Sequence, residues 1–118
     1  MLHIRFARQI FLLRDFVHLH NHTQFSVLQS TISVKDLVNA AIKNKMPAVA
    51  MTDIGNMMGA FHFVRDILNH NKSSEEKIKP IVGCEFYVCD NHKDKTRKDN
   101  GYQIVMLAKN KNGYHNLA

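Results

Sequence analysis

The run Ala48-Val49-Ala50-Met51-Thr52-Asp53 most narrows what this chain can fold into. It is apolar at successive positions and ends on a carboxylate. Such a run suits a strand covered on both faces, as in parallel sheets. Helical patterns stand on either side. Before it, Ser33 reads as an N-cap with Asp36 three positions on as its capping partner. Val34, Leu37, Val38, Ala41 and Ile42 then follow at helical spacing. Pro47 stops that helix, because the residue before a proline disfavours helical geometry. After the run, Gly55 and Gly59 bracket a turn, and residues 57–69 read as a second helix with Met58, Phe61, Val64, Ile67 and Leu68 on its face.

Residues 16–20, 79–88 and 102–107 read as further strands. Residues 23–32 form a polar loop with Phe25, Val27 and Leu28 as candidates for burial; residues 71–77 and 91–100 are polar and charged surface loops. Asn112-Gly113-Tyr114 opens a last helix. The order β-α-β-α-β-loop-β-α implies an α/β fold with mainly parallel strands and right-handed crossovers. In such sheets chemistry gathers at the C-terminal ends of the strands. His20 and His22 follow the first strand, Asp53 ends the second, and Glu85 lies in the third, past Gly83.

With 118 residues there is room for one small domain. Hydrophobic residues make up 45% and charged residues 22%, which suits a globular protein rather than a disordered one. No apolar run is long enough to cross a membrane. The net charge of +6 permits an anionic partner without requiring one. The excess lies at Arg5, Arg8 and Arg14, in residues 72–79 and in residues 93–98, where solvated loops and helix ends account for it as well. Cys84 and Cys89 lack the spacing of a zinc pair and read as buried or half-buried thiols in a reducing cytosol. Residues 1–14 carry three arginines and no acid, which fits a basic amphipathic helix, a crude targeting peptide or residues from an upstream start codon.

His-x-His on a strand places two imidazoles on one face, where they can chelate an ion. Surface or loop histidines are the plainer alternative. Asp53 is a metal ligand, a partner orienting a histidine, or a cap for the next helix. Glu85 within Ile81-Val82-Gly83-Cys84-Glu85-Phe86-Tyr87-Val88 is costly to bury without a cation, unless it faces outward.

Four blocks in order carry a family resemblance: HLHNHTQFS (residues 18–26), KMPAVAMTDIGNMMGAFHF (45–63), IKPIVGCEFYV (78–88) and LAKNKNGYHNL (107–117). Together they resemble the polymerase-and-histidinol-phosphatase (PHP) domain, in the form that begins bacterial DNA polymerase III α subunits. The likeness spans residues 16–118, an incomplete PHP domain, and leaves residues 1–15 as an extension of unknown role. It implies a distorted β/α barrel, of which about four βα units are present, with up to three divalent ions at the C-terminal rim. It implies His20, His22 and Glu85 as metal ligands, with His18 and Asp53 behind them. Zinc or manganese, weakly bound, is the implied cofactor. DNA reached through the full-length polymerase, the remainder of the α subunit and the other holoenzyme subunits are the implied partners, in the cytoplasm.

The chain also departs from the pattern. The second block usually reads Thr-Asp-His-Gly, and here Ile54 stands where a ligand is expected. Gln103 stands where a histidine often follows the tyrosine. Later ligands and the polymerase palm have no counterpart within these residues. The leading expectation is therefore the N-terminal piece of a replicative polymerase subunit, with a partial site related to 3′–5′ exonuclease chemistry and not catalytic alone. A free-standing metal-dependent phosphoesterase and a non-catalytic interaction module with a decayed site are the alternatives.

Overall fold

The structure, a computed structural model, describes residues 16–96 and 101–118. The readings of residues 1–15 and of the basic residues Arg97 and Lys98 lie outside these. Three helices and a three-stranded sheet alternate along the chain: α1 (Val34–Lys43), β1 (Ala48–Ile54), α2 (Ala60–Ser73), β2 (Lys79–Val88), β3 (Tyr102–Leu107) and α3 (Lys111–Leu117). This is a small α/β unit.

Helix α1 begins as its sequence implies. The Ser33 hydroxyl accepts from the Asp36 backbone N–H at 3.1 Å and donates to the Asp36 carboxylate at 2.6 Å. Val34, Leu37, Val38 and Ala41 are buried. β1 is buried along all but its last residue, as an apolar strand covered on both faces should be. Val49 and Met51 join α1 and Phe63 and Ile67 of α2 in one core.

Helix α2 starts later, and its inward face shares only Ile67 and the partly buried Val64 with the stripe read from its sequence. Ala60, Phe63 and Ile67 are buried, whereas Met58, Phe61 and Leu68 are exposed. The rotation is set at Gly59, where any side chain would meet the Phe25 ring at 2.9 Å and Met51 Sδ at 3.1 Å. Only small residues permit that approach, so the stripe that begins at Ala60 goes inward. The helix also continues to Ser73, into residues read as loop.

The sheet order is β1-β2-β3. β1 and β2 are parallel, with Ile54 opposite Glu85. β2 and β3 are antiparallel, with Tyr87 opposite Gln103. The expectation of mainly parallel strands therefore holds for one pairing and fails for the other. The segment between β2 and β3 explains it: residues 90–100 carry no apolar stripe from which to build a crossover helix.

The strand expected at residues 16–20 is not a regular one. The segment runs beside β1, with Ala50 N–H donating to His18 O at 3.0 Å and Thr52 N–H donating to Asn21 O at 2.9 Å. Two steps along β1 thus match three along its neighbour, the count of a bulge. The Asn21 side-chain amide takes over the missing ladder bond by donating to Ala50 O at 2.9 Å. Val27 and Leu28, read as buried, are exposed at the loop tip, where Leu28 has φ 64°.

Candidate metal centre

The bulged segment delivers two imidazoles to one carboxylate. His20 Nε2 and His22 Nε2 each lie 2.5 Å from the same oxygen, Glu85 Oε2. Their rings meet edge to face with centroids 5.0 Å apart. The three donor atoms fall within 4.8 Å of one another. Glu85 is 3% exposed, His22 24% and His20 55%, so the cluster grades from a buried acid to a solvent-facing imidazole. Burial pushes the Glu85 carboxyl up, but the hydrogen bonds and charges of the two histidines outweigh it and hold the group below its ordinary 4.5. Two imidazoles and one carboxylate form a mixed nitrogen and oxygen set of the kind that zinc and manganese accept. A buried carboxylate calls for a cation, so the donor set fits a divalent ion.

The neighbours fix this geometry. Glu85 O accepts from Gly55 N–H at 2.9 Å, which ties the turn after β1 to β2. The Ser30 hydroxyl donates to His22 O at 3.0 Å. Asn21 N–H donates to the Thr52 hydroxyl at 2.9 Å, between the two histidines in sequence.

Asp53, wholly buried, binds the loop that follows His22. Its Oδ1 accepts from Thr23 N–H at 2.5 Å and from the Ser26 hydroxyl at 2.6 Å, and its Oδ2 accepts from the Thr23 hydroxyl at 2.7 Å. The acid thus reaches the cluster through the backbone that carries His22. The His18 ring stands against Phe16, with centroids 4.7 Å apart, and belongs to no three-donor group among the described residues. Ile54 lies in register beside Glu85 and contributes an apolar side chain there. Gln103 donates to the Tyr87 hydroxyl at 3.2 Å.

Sequence reasoning did not single out Thr23, Ser26, Asn21 or Ser30. A signal was available: an acid that closes a fully apolar strand must find donors, and Thr23 and Ser26 are hydroxyls spaced to supply them.

The profile of the PHP domain family matches residues 18–118. Curated proteins similar to this chain are named DNA polymerase III subunit alpha. That of Treponema pallidum is 42% identical over 107 residues, covering 87% of this chain and 9% of that protein. That of Chlamydia trachomatis serovar D is 38% identical over 106 residues, 86% of this chain and 8% of that protein. That of Deinococcus radiodurans is 37% identical over 115 residues, 88% of this chain and 8% of that protein. The chain spans about a tenth or less of the length of these relatives.

Proposed function

The chain belongs to the PHP domain family, and from that premise we propose that it is the opening portion of a replicative DNA polymerase α subunit, with a metal-binding corner at His20, His22 and Glu85. The observation that carries this reading is the meeting of two imidazole nitrogens on one buried carboxylate oxygen. Residues 16–118 are then part of the PHP barrel and residues 1–15 an added segment. DNA reaches it through the whole polymerase, beside the rest of the subunit and its holoenzyme partners, in the cytoplasm.

A divalent ion held there, zinc or manganese, would lower the pKa of a bound water and neutralise charge on phosphoryl oxygens. Glu85 would hold such an ion together with His20 and His22 and offset its charge. His22 is held by its loop, and His20 is the more exposed of the two imidazoles. Ile54 beside Glu85 favours a second element of the reading: a weak partial site, structural rather than catalytic in this chain.

Calorimetric titration of the purified chain with Zn²⁺ and Mn²⁺ tests the assignment. Weak binding that disappears in His20→Ala and in His22→Ala is expected. Tight binding that survives both substitutions overturns the ligand set. A manganese-dependent nuclease assay on single-stranded DNA separates the readings further: no turnover is expected, and robust turnover points instead to a self-sufficient phosphoesterase.

A further inference from the structure

A cavity of about 290 Å³ has Phe25, Gln29, Ile54 and Tyr87 among its walls. Side chains two apart on a strand share a face about 7 Å apart, so Tyr87 stands on the same face of β2 as Glu85. Ile54, opposite Glu85 in register, is the wall common to the cluster and the cavity. Gln103, opposite Tyr87, donates to its hydroxyl and leaves the phenolic hydrogen free to donate onward. Of the two positions where the sequence departs from the family pattern, Ile54 lines this cavity and Gln103 holds the hydroxyl of its wall residue Tyr87.

We propose that the cavity between Phe25, Ile54 and Tyr87 is a subsite for a nucleobase, on the nucleotide whose phosphate is held at His20, His22 and Glu85. The proposal rests on reading that cluster as a metal centre for phosphoesters. The chemistry of the walls selects a neutral planar ring. Two aromatic side chains, Phe25 and Tyr87, and two aliphatic ones, Val27 and Ile54, line the space, Gln29 is exposed at its edge, and none of the lining residues carries a charge. The volume falls just under the roughly 300–1,000 Å³ of pockets that enclose drug-sized ligands, which suits one ring system with sugar and phosphate outside.

The walls are also preformed. Asn56 donates to Phe25 O at 2.9 Å, Ile54 N–H donates to the Ser26 hydroxyl at 3.0 Å, and that hydroxyl is anchored on Asp53. Tyr87 nevertheless remains 58% exposed, an aromatic face on offer beside the charged end of the site. Stacking on such a face tolerates any base, because every base has a π surface.

The test compares two probes on the full chain in Mn²⁺, deoxyadenosine 5′-monophosphate and the baseless 2-deoxyribose 5-phosphate, by calorimetry. The nucleotide is expected to bind roughly 5- to 150-fold more tightly, the range that base–aromatic stacking provides. Tyr87→Ala erases that advantage and Tyr87→Phe keeps it, while the Mn²⁺ titration alone is unchanged in both. The chain has three tyrosines and no tryptophan, so quenching of tyrosine emission on nucleotide binding, absent in Tyr87→Ala, gives an independent signature. Equal affinity for the two probes, or an advantage that survives Tyr87→Ala in a chain with native circular dichroism, overturns the proposal. Deoxyadenosine without phosphate separates the two readings. If the chain binds no Mn²⁺ yet shows Tyr87-dependent nucleoside binding, the subsite stands and the metal centre falls.

Discussion

Asp53 and Thr23 are joined twice, once through the Thr23 backbone N–H to Oδ1 and once through the Thr23 hydroxyl to Oδ2, at 2.5 and 2.7 Å. Both residues are fully buried, and Thr23 directly follows His22. Asp53→Ala leaves the Thr23 N–H and the Thr23 and Ser26 hydroxyls short of their acceptor. Each unsatisfied buried group costs about 1–3 kcal/mol, so a loss of about 3 kcal/mol or more is expected in urea unfolding. Asp53→Asn keeps an oxygen and loses less. Metal affinity falls with loop order in Asp53→Ala. Unchanged stability in that variant removes the anchoring role.

Cys84 is buried and donates to Asp53 O at 3.3 Å, whereas Cys89 is half buried; both are free thiols. Burial is the main reason the Cys84 thiol is pushed above its ordinary 9.0, and the charges of Asp53 and Glu85 add to it against two opposing backbone hydrogen bonds. The folded chain therefore holds this proton more tightly than the unfolded chain. The resulting stabilisation is complete below pH 9.0 and is lost as pH rises from there through the folded value. Cys84→Ala should flatten the alkaline limb of the stability curve. In the native chain a thiol reagent should modify Cys89 rapidly and reach Cys84 only on unfolding; two equally fast thiols refute this.

Strands β1, β2 and β3 were legible because each is a continuous run bounded by turn residues, and the read limits 79–88 and 102–107 match the observed ones. The direction of β3 was not, because strand polarity is written in the connection rather than in the strand. Residues 16–20 have strand-forming side chains, yet Asn21 competes for the ladder bond with its own amide, and a bulge replaces the strand. The inward face of α2 depended on a close approach at Gly59 that periodicity does not carry. For the site, period two placed His20 and His22 together. Their meeting with Glu85 spans more than sixty residues: the order of strands brought the three to one rim, and the family resemblance named them joint ligands. Asp53 reads from sequence as a metal ligand, an orienting partner or a helix cap, and its hold on Thr23 and Ser26 needed the loop's path in space.

Gly83 sits in the middle of β2, paired with Thr52 on one side and Leu107 on the other. A methyl group there would press into the Met106 carbonyl oxygen and the Leu107 side chain. The backbone oxygen cannot rotate away, so Gly83→Ala must spread β2 from β3. Overpacking of this kind costs about 1–3 kcal/mol. Thermal melting followed by circular dichroism should show a drop of several degrees, at roughly 4–8 °C per kcal/mol in a domain this small. An unshifted melting curve would mean that the two strands are not so closely apposed.

Ile54 decides between two uses of the same rim. It lies in register with Glu85, on the same face of the sheet, and it also lines the cavity that reaches Tyr87. Ile54→His places a third imidazole beside the buried carboxylate and removes an apolar wall at once. The two consequences have opposite signs. Metal affinity should rise at least about tenfold, which is about 1.4 kcal/mol, because a three-donor set gains a fourth ligand. The affinity advantage of deoxyadenosine 5′-monophosphate over its baseless analogue should shrink, because a polar ring replaces the aliphatic surface next to the stacking site. Parallel titrations of wild type and Ile54→His with Mn²⁺ and with both phosphates read the two effects separately. If metal affinity stays flat, position 54 does not face the ligand cluster. If the nucleotide preference grows along with metal affinity, the cavity owes its selectivity to the ion rather than to its walls.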